Sequence, residues 1–174
     1  LTYYGHRHAT SNKLFTNCDE MKGLKMRVPD APAYTALPRA CGANPTPIAF
    51  AEVYLALQNK TVDAQENPLP TIEAKKFYEV QSHNNITAHI TDALLTIVGA
   101  PLWAKLSADD KKAFTAVFQE AAARAGGEIV DAEKRLMTEF AKRGKTVVMV
   151  DRKPFIAAVQ SFYASGKQPT GEAL

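Results

Sequence analysis

Hydrophobic and polar positions change period several times along this chain, and each change marks an element. Leu24, Met26 and Val28 alternate with Lys25 and Arg27, the period-two signature of a strand with one buried face, and residues 2–8 read as a second short strand. A helix follows, with Asp30 as N-cap and Pro32 in its first turn; it runs to Arg39-Ala40-Cys41 and stops at Gly42. Pro38 sits inside it, removes one hydrogen bond and should bend or shorten the last turn. Pro45 to Ile48 is extended, and Phe50 to Asn59 forms a helix with Phe50, Val53, Tyr54 and Leu57 on one face. Val62-Asp63-Ala64 makes a short strand, Pro68 to Phe77 a turn or two of helix, and Asn85 to Val98 an extended stretch broken near Thr91-Asp92.

The longest element begins at Ser107, where Asp110 completes a start resembling a capping box. Phe114, Phe118, Ala121, Ala125, Ile129, Ala132, Leu136 and Phe140 then recur at helical spacing up to Gly144, and Gly126-Gly127 weakens the middle. A strand from Thr146 to Val150 and a helix from Pro154 to Tyr163 follow, and the tail from Gly166 is expected to fray. Strands alternating with helices predict α/β layering with a mainly parallel sheet. A helix over 107–143 exceeds what one small domain covers, so it is expected to run across two lobes.

Composition narrows the function. The 174 residues are 46% hydrophobic with a net charge of +3, an ordinary globular balance. The basic pairs Lys75-Lys76, Lys111-Lys112 and Lys142-Arg143 are scattered, which argues against nucleic-acid binding, while a mildly positive surface favours small anions. No apolar run approaches the roughly 20 residues of a membrane span. The opening Leu1-Thr2-Tyr3-Tyr4-Gly5 has no initiator Met and reads as a strand interior, so an upstream piece is expected to have been removed. Cys18 and Cys41 lie outside any metal-ligand spacing; two separate thiols and one bridge both fit.

Three blocks carry the candidate chemistry: Gly23-Leu24-Lys25-Met26-Arg27-Val28-Pro29, Gly42-Ala43-Asn44-Pro45-Thr46-Pro47, and Val62-Asp63-Ala64-Gln65-Glu66-Asn67-Pro68-Leu69. Arg27 ends an apolar strand beside a rigid turn, where a guanidinium can form a bidentate pair with a carboxylate; the plainer alternative is a surface ion pair with Asp30. Pro68 biases Asn67 towards an extended conformation and so fixes its amide, although a turn residue bonding its own backbone fits equally. His6-Arg7-His8 is a weak metal signal, with Arg7 favoured as an anion contact and the histidines as structural. His83 and His89 are the acid/base candidates of an alternative enzyme acting on a small carboxylic acid. No GxSxG, GxGxxG or Walker loop accompanies them, and no cofactor or catalytic residue is expected. Phe50 and Trp103 read first as core.

These blocks, with Lys76–Gln81, resemble consecutive segments of the solute-binding proteins of TRAP (tripartite ATP-independent periplasmic) transporters, the dicarboxylate-binding DctP-like family. The similarity runs from about Gly5 to Tyr163, with Ala64 in place of a frequent glycine and Pro38 unusual in its helix. It implies a periplasmic binding protein-like α/β fold of two lobes that close over a small organic carboxylate, such as a C4-dicarboxylate, and deliver it to TRAP membrane permease subunits. It implies that Arg27 binds the carboxylate, Asn67 supports it, Arg7 adds a second contact, Phe50 forms an aromatic wall and His89 lies near the pocket floor. It also implies that most of the first lobe is missing. Residues 1–92 would form the second, ligand-binding lobe, 93–132 a segment of the first lobe with the connecting helix, and 133–174 the return. Residues 93–106 and the early long helix should then expose an apolar face, to be covered by an oligomer or a partner chain.

Overall fold

The computed structural model describes residues 1–164, so the expectation of a frayed tail from Gly166 lies outside the described residues. Strand β1 (Thr2–Ser11) is followed by a 3-10 turn (Asp19–Met21), β2 (Lys25–Val28), α1 (Pro32–Ala40), β3 (Asn44–Pro47), a second 3-10 turn (Phe50–Glu52) and α2 (Val53–Gln58). Then come β4 (Ala64–Pro68), α3 (Leu69–Ala74), α4 (Phe77–Val80), β5 (His83–Leu94), α5 (Ala100–Lys105), α6 (Ala108–Lys142), β6 (Thr146–Met149) and α7 (Arg152–Ala164). The strands form one sheet in the order β3-β2-β4-β1-β5-β6. β1 runs against both neighbours, and the other five strands point the same way.

Alternation along the strands sorts side chains into two layers. Ala9, Met26, Val28 and Ala64 join Leu37, Val150 and Phe155 beneath α1 and α7. On the opposite face Val53, Leu57, Leu69, Ile72, Phe77, Ile86, Leu136 and Phe140 pack beneath α2, α3, α4 and α6. A disulfide joins Cys18, in the loop before β2, to Cys41 at the end of α1.

Several elements differ from the pattern reading. The N-cap of α1 is Ala31 rather than Asp30, because Pro32 already occupies the first helical position. Pro38 stays inside α1, and its carbonyl still accepts from Ala43 N. The third block forms a strand over 64–68 instead of 62–64, because β2 pairs with it on one side and β1 on the other. The break in β5 falls at Ala88 (φ 42°), not near Thr91-Asp92, and His8 Nδ1 accepts from the Ala88 amide at 3.0 Å. Gly126-Gly127 does not interrupt α6, a 35-residue helix whose N-cap Ser107 accepts from Asp110 N; Gly126 is buried against Tyr3. Trp103 is half-buried on the short helix α5 and not core.

Where α6 crosses β1, Gly5 has φ +118°, and a Cβ there would stand 3.0 Å from both Glu133 Oε1 and Pro68 Cβ. The crossing is pinned by Glu133, which accepts from Tyr3 Oη at 2.8 Å and His6 N at 2.6 Å. Beyond it the apolar side chains lose their cover. Leu95 is 72% exposed and Ile97 82%, and Leu102, Phe114, Val117 and Phe118 are exposed too.

Candidate functional site: a buried cation at the strand ends

Arg27 lies opposite Gln65 in the parallel β2/β4 register, and Asn67 is two residues further along β4, so all three side chains leave the same face of the sheet. The flanking Met26 and Val28 anchor β2 in the other layer, which forces Arg27 outward from it. Arg27 is only 3% exposed, yet it has no carboxylate partner among the described residues, and Asp30 is exposed and unpaired with it. Its Nε and Nη2 both donate to the Ile48 carbonyl, at 2.9 and 2.7 Å. Three of its five N–H groups, including both on Nη1, therefore remain uncommitted. Burial holds its pKa below the ordinary arginine value, and the opposing pull of Glu66 only partly offsets that. A desolvated cation without a counter-charge is unfavourable unless something anionic arrives.

Phe50 borders this guanidinium, with Arg27 Cζ 5.8 Å from its ring centroid. The pattern reading put Phe50 on the buried helix face. The structure places it on the 3-10 turn, 41% exposed, with its ring edge-on to Phe77 at 6.2 Å and Lys75 Nζ 5.4 Å away.

Arg7 is also buried, but it is paired with the protein's own anions. Its Nε and Nη2 grip the Glu66 carboxylate, Nη1 donates to Asp92 Oδ2 at 2.8 Å, and Nη2 also donates to the Glu66 carbonyl at 2.8 Å and Asn67 Oδ1 at 3.0 Å. Burial alone would lower its pKa, but Glu66 and Asp92 outweigh that and raise it. One N–H on Nη1 is left over. Tyr34 of α1 lies under the guanidinium, 4.9 Å from centroid to Cζ.

Glu66 is fully buried, which by itself would push its pKa up. Hydrogen bonds from His89 and Arg7, with the Arg7 charge, hold it below the usual carboxylate range. His89 Nε2 sits 3.3 Å from Glu66 Oε2, and its Nδ1 pairs with Thr87 Oγ1 at 2.8 Å. His89 thus backs the Arg7–Glu66 pair from the α1/α7 side, where it lines a cleft of about 50 Å³. His83 pairs with Ser82 Oγ at the start of β5, opposite Ser11, three residues along β1 from the His8 that faces Asn67. His8 is pushed down to about 3 by burial first and then by His89, His6 and Arg152. His6 and His8 line one shallow groove of about 350 Å³, and among the described residues no group of three or more His, Cys, Asp or Glu is placed to hold a metal ion.

The structure thus forms two groups, Arg27 with Phe50, and Arg7 with Asn67, Glu66 and, through Glu66, His89; Arg27 and Asn67 each stand near the end of their strand on a shared face. A groove of about 550 Å³ lies elsewhere, between Leu1, Tyr3, Trp103, Phe118 and Gly126 at the uncovered end. None of these three cavities is lined by Arg27, Asn67 or Phe50. The pattern reading missed Glu66, Gln65 and Asp92, and the signal for the first two was the polar run Gln65-Glu66-Asn67 between two buried residues.

The chain is 38% identical over 172 residues to the sialic acid-binding periplasmic protein SiaP of Vibrio cholerae, covering 99% of this chain and 54% of that protein. A TRAP periplasmic solute-binding protein from Polaromonas sp. JS666, bound to D-erythronate, superposes with a TM-score of 0.91 at 37% identity, covering 98% of this chain and 57% of that one. One from Roseobacter denitrificans, bound to L-galactonate, superposes with a TM-score of 0.86 at 35% identity over 94% of this chain and 55% of that one. The chain therefore spans about half the length of the curated relatives it matches. Family members are solute-binding proteins rather than enzymes. The model of the DctP family, bacterial extracellular solute-binding protein family 7, matches residues 1–168, and the chain belongs to that family.

Proposed function

We propose that this chain is the carboxylate-binding lobe of an extracytoplasmic TRAP solute receptor, acting in the periplasm and delivering its ligand to membrane permease subunits. One observation carries the reading: Arg27 is buried, charged and, among the described residues, lacks a carboxylate partner, while its side chain leaves the same face as Asn67. A ligand carboxylate would supply the missing anion through a bidentate pair with Nη1 and Nη2. Asn67 would add its one uncommitted N–H, Phe50 would wall the site, and the spare Arg7 N–H would be a further donor. Sialic acid, D-erythronate and L-galactonate, bound by the relatives, are all hydroxylated carboxylic acids, so a ligand of that class fits.

In this reading residues 1–92 and 133–174 belong to one lobe and 93–132 reach into another. The exposed Leu95, Ile97, Phe114 and Phe118 are the seat of that second lobe, whose arrival would build a cleft over Arg27. Calorimetric titration of the chain, alone and in an N-terminally extended form, with sialic acid, D-erythronate, L-galactonate and succinate tests the proposal. One acid should bind the extended form, and its neutral amide should not. Equal binding of acid and amide, or silence of the extended form towards every acid, would overturn it.

A further inference from the structure

The carboxamide of Asn67 is held from both ends, and one end leads away from the site into the sheet. Asn67 Nδ2 donates to Gln65 Oε1 at 2.6 Å, and Gln65 Nε2 donates to Thr10 Oγ1 at 2.8 Å. The Thr10 hydroxyl donates to Gln81 Oε1 at 3.2 Å, and Gln81 Nε2 reaches the backbone carbonyls of Asp63 and Val80 at 3.4 and 3.3 Å. All four side chains are buried. They come from β1, β4 and the residue after α4.

The direction of this relay has one solution. A backbone carbonyl only accepts, so Gln81 turns its NH2 to Asp63 and Val80 and its oxygen to Thr10. Thr10 must then donate to Gln81, which leaves its lone pair for the Gln65 NH2 and turns Gln65 Oε1 towards Asn67. At the far end Arg7 only donates and requires Asn67 Oδ1, 3.0 Å from its Nη2. Both ends demand the same amide orientation. Bonds that all point one way polarise each other and resist reversal. Stability alone does not explain the arrangement, because apolar groups of the same shape are often equally stable in such places.

We propose that Gln81, Thr10 and Gln65 are positioning residues for ligand recognition: they orient the Asn67 amide so that its one free N–H meets the carboxylate held by Arg27. The inference rests on the carboxylate-receptor reading for its purpose, but the orientation itself can be tested without ligand.

Thr10→Val keeps the shape and removes the hydroxyl, whereas Thr10→Ser keeps the hydroxyl. In ligand-free protein the side-chain ¹⁵N–¹H resonances of Asn67 should move and exchange faster in Thr10→Val and match wild type in Thr10→Ser. In the form that binds an acid of the titration panel, Thr10→Val should weaken affinity roughly fivefold to tenfold, the worth of one well-placed hydrogen bond, and Thr10→Ser should restore it. A merely structural role would lower the melting temperature and leave both readouts unmoved. Unchanged Asn67 resonances in Thr10→Val, or equal affinity of the Val and Ser variants, would overturn the proposal. If no acid binds even wild type, the receptor reading fails and the resonances still decide the relay. Should Thr10→Val not fold, Gln65→Met, which removes the acceptor facing Asn67, gives the same comparison.

Discussion

Replacing Arg27 by methionine separates a ligand anchor from a structural cation, because the two predict opposite effects on the ligand-free protein. The side chain spends Nε and Nη2 on one carbonyl, Ile48 O, and keeps three N–H groups free. A carboxylate taking two of them gains charge-assisted bonds worth roughly 1.5–3 kcal/mol each, so Arg27→Met should weaken binding by about two to four orders of magnitude. Arg27→Lys keeps the charge but not the planar fork; losing one of the two bonds corresponds to roughly a tenfold to hundredfold loss. Without ligand, methionine strands the Ile48 carbonyl, at a cost of about 1–3 kcal/mol where no water reaches it, and removes a desolvated charge whose burial costs several kcal/mol. The ligand-free midpoint should therefore hold or rise. Calorimetric titration and thermal denaturation read the two quantities on the same samples. A variant that binds like wild type, or one that unfolds well below wild type without ligand, would refute the reasoning.

Three further outcomes follow from the same geometry. His8 is neutral in the fold down to about pH 3 but titrates near 6.5 when unfolded, so the unfolded state binds the extra proton and stability falls on acidification through that window, by up to about 1.4 kcal/mol per pH unit. His8→Asn, whose Oδ1 can accept from the Ala88 amide, should flatten urea-unfolding stability between pH 6.5 and 4.5; an unchanged slope would remove His8 as the cause. The Cys18–Cys41 bridge closes a loop with a sequence separation of 23, which corresponds to about 3 kcal/mol of denatured-state entropy. The Cys18→Ser/Cys41→Ser double variant should lose that much in denaturant unfolding, and an unchanged midpoint would contradict the loop-closure argument. Finally, the exposed Leu95, Ile97 and Phe118 should make the chain self-associate with rising concentration, and Leu95→Lys with Ile97→Lys should reverse this in sedimentation experiments. Monomers throughout would argue that the face is not sticky enough to recruit cover.

Where local chemistry decides structure, the sequence was legible. Alternation in Leu24–Val28 located β2, and Ser107 with Asp110 located the start of α6 to the residue. Elements whose side chains answer to distant partners were not. β4 is buried at every position from Ala64 to Pro68, yet three of its five residues are polar, so no apolar alternation announces a strand. Its polarity is made tolerable by partners 55 to 60 residues away, Thr10 for Gln65 and Arg7 for Glu66 and Asn67. A pattern rule has no access to such partners and ends the strand at Ala64. Trp103 failed in the opposite direction, since a large aromatic reads as core whether or not its covering wall is present.

The conflict between pattern and structure at β4 is itself informative. A strand of a packed sheet gains most from apolar side chains, and burying a Gln, a Glu and an Asn in succession requires each to be matched by a dedicated partner. Sequences keep such local conflicts where geometry is worth more than stability. Here Glu66 is matched by Arg7 and His89, Gln65 and Asn67 each keep one side-chain N–H uncommitted, and on the same face lies Arg27, buried without a carboxylate partner among the described residues. Asn84 Oδ1 on β5 is also buried without a partner, but the uncommitted donors of Arg27, Gln65 and Asn67 leave one face of adjacent strands, which is what a preformed anion site requires.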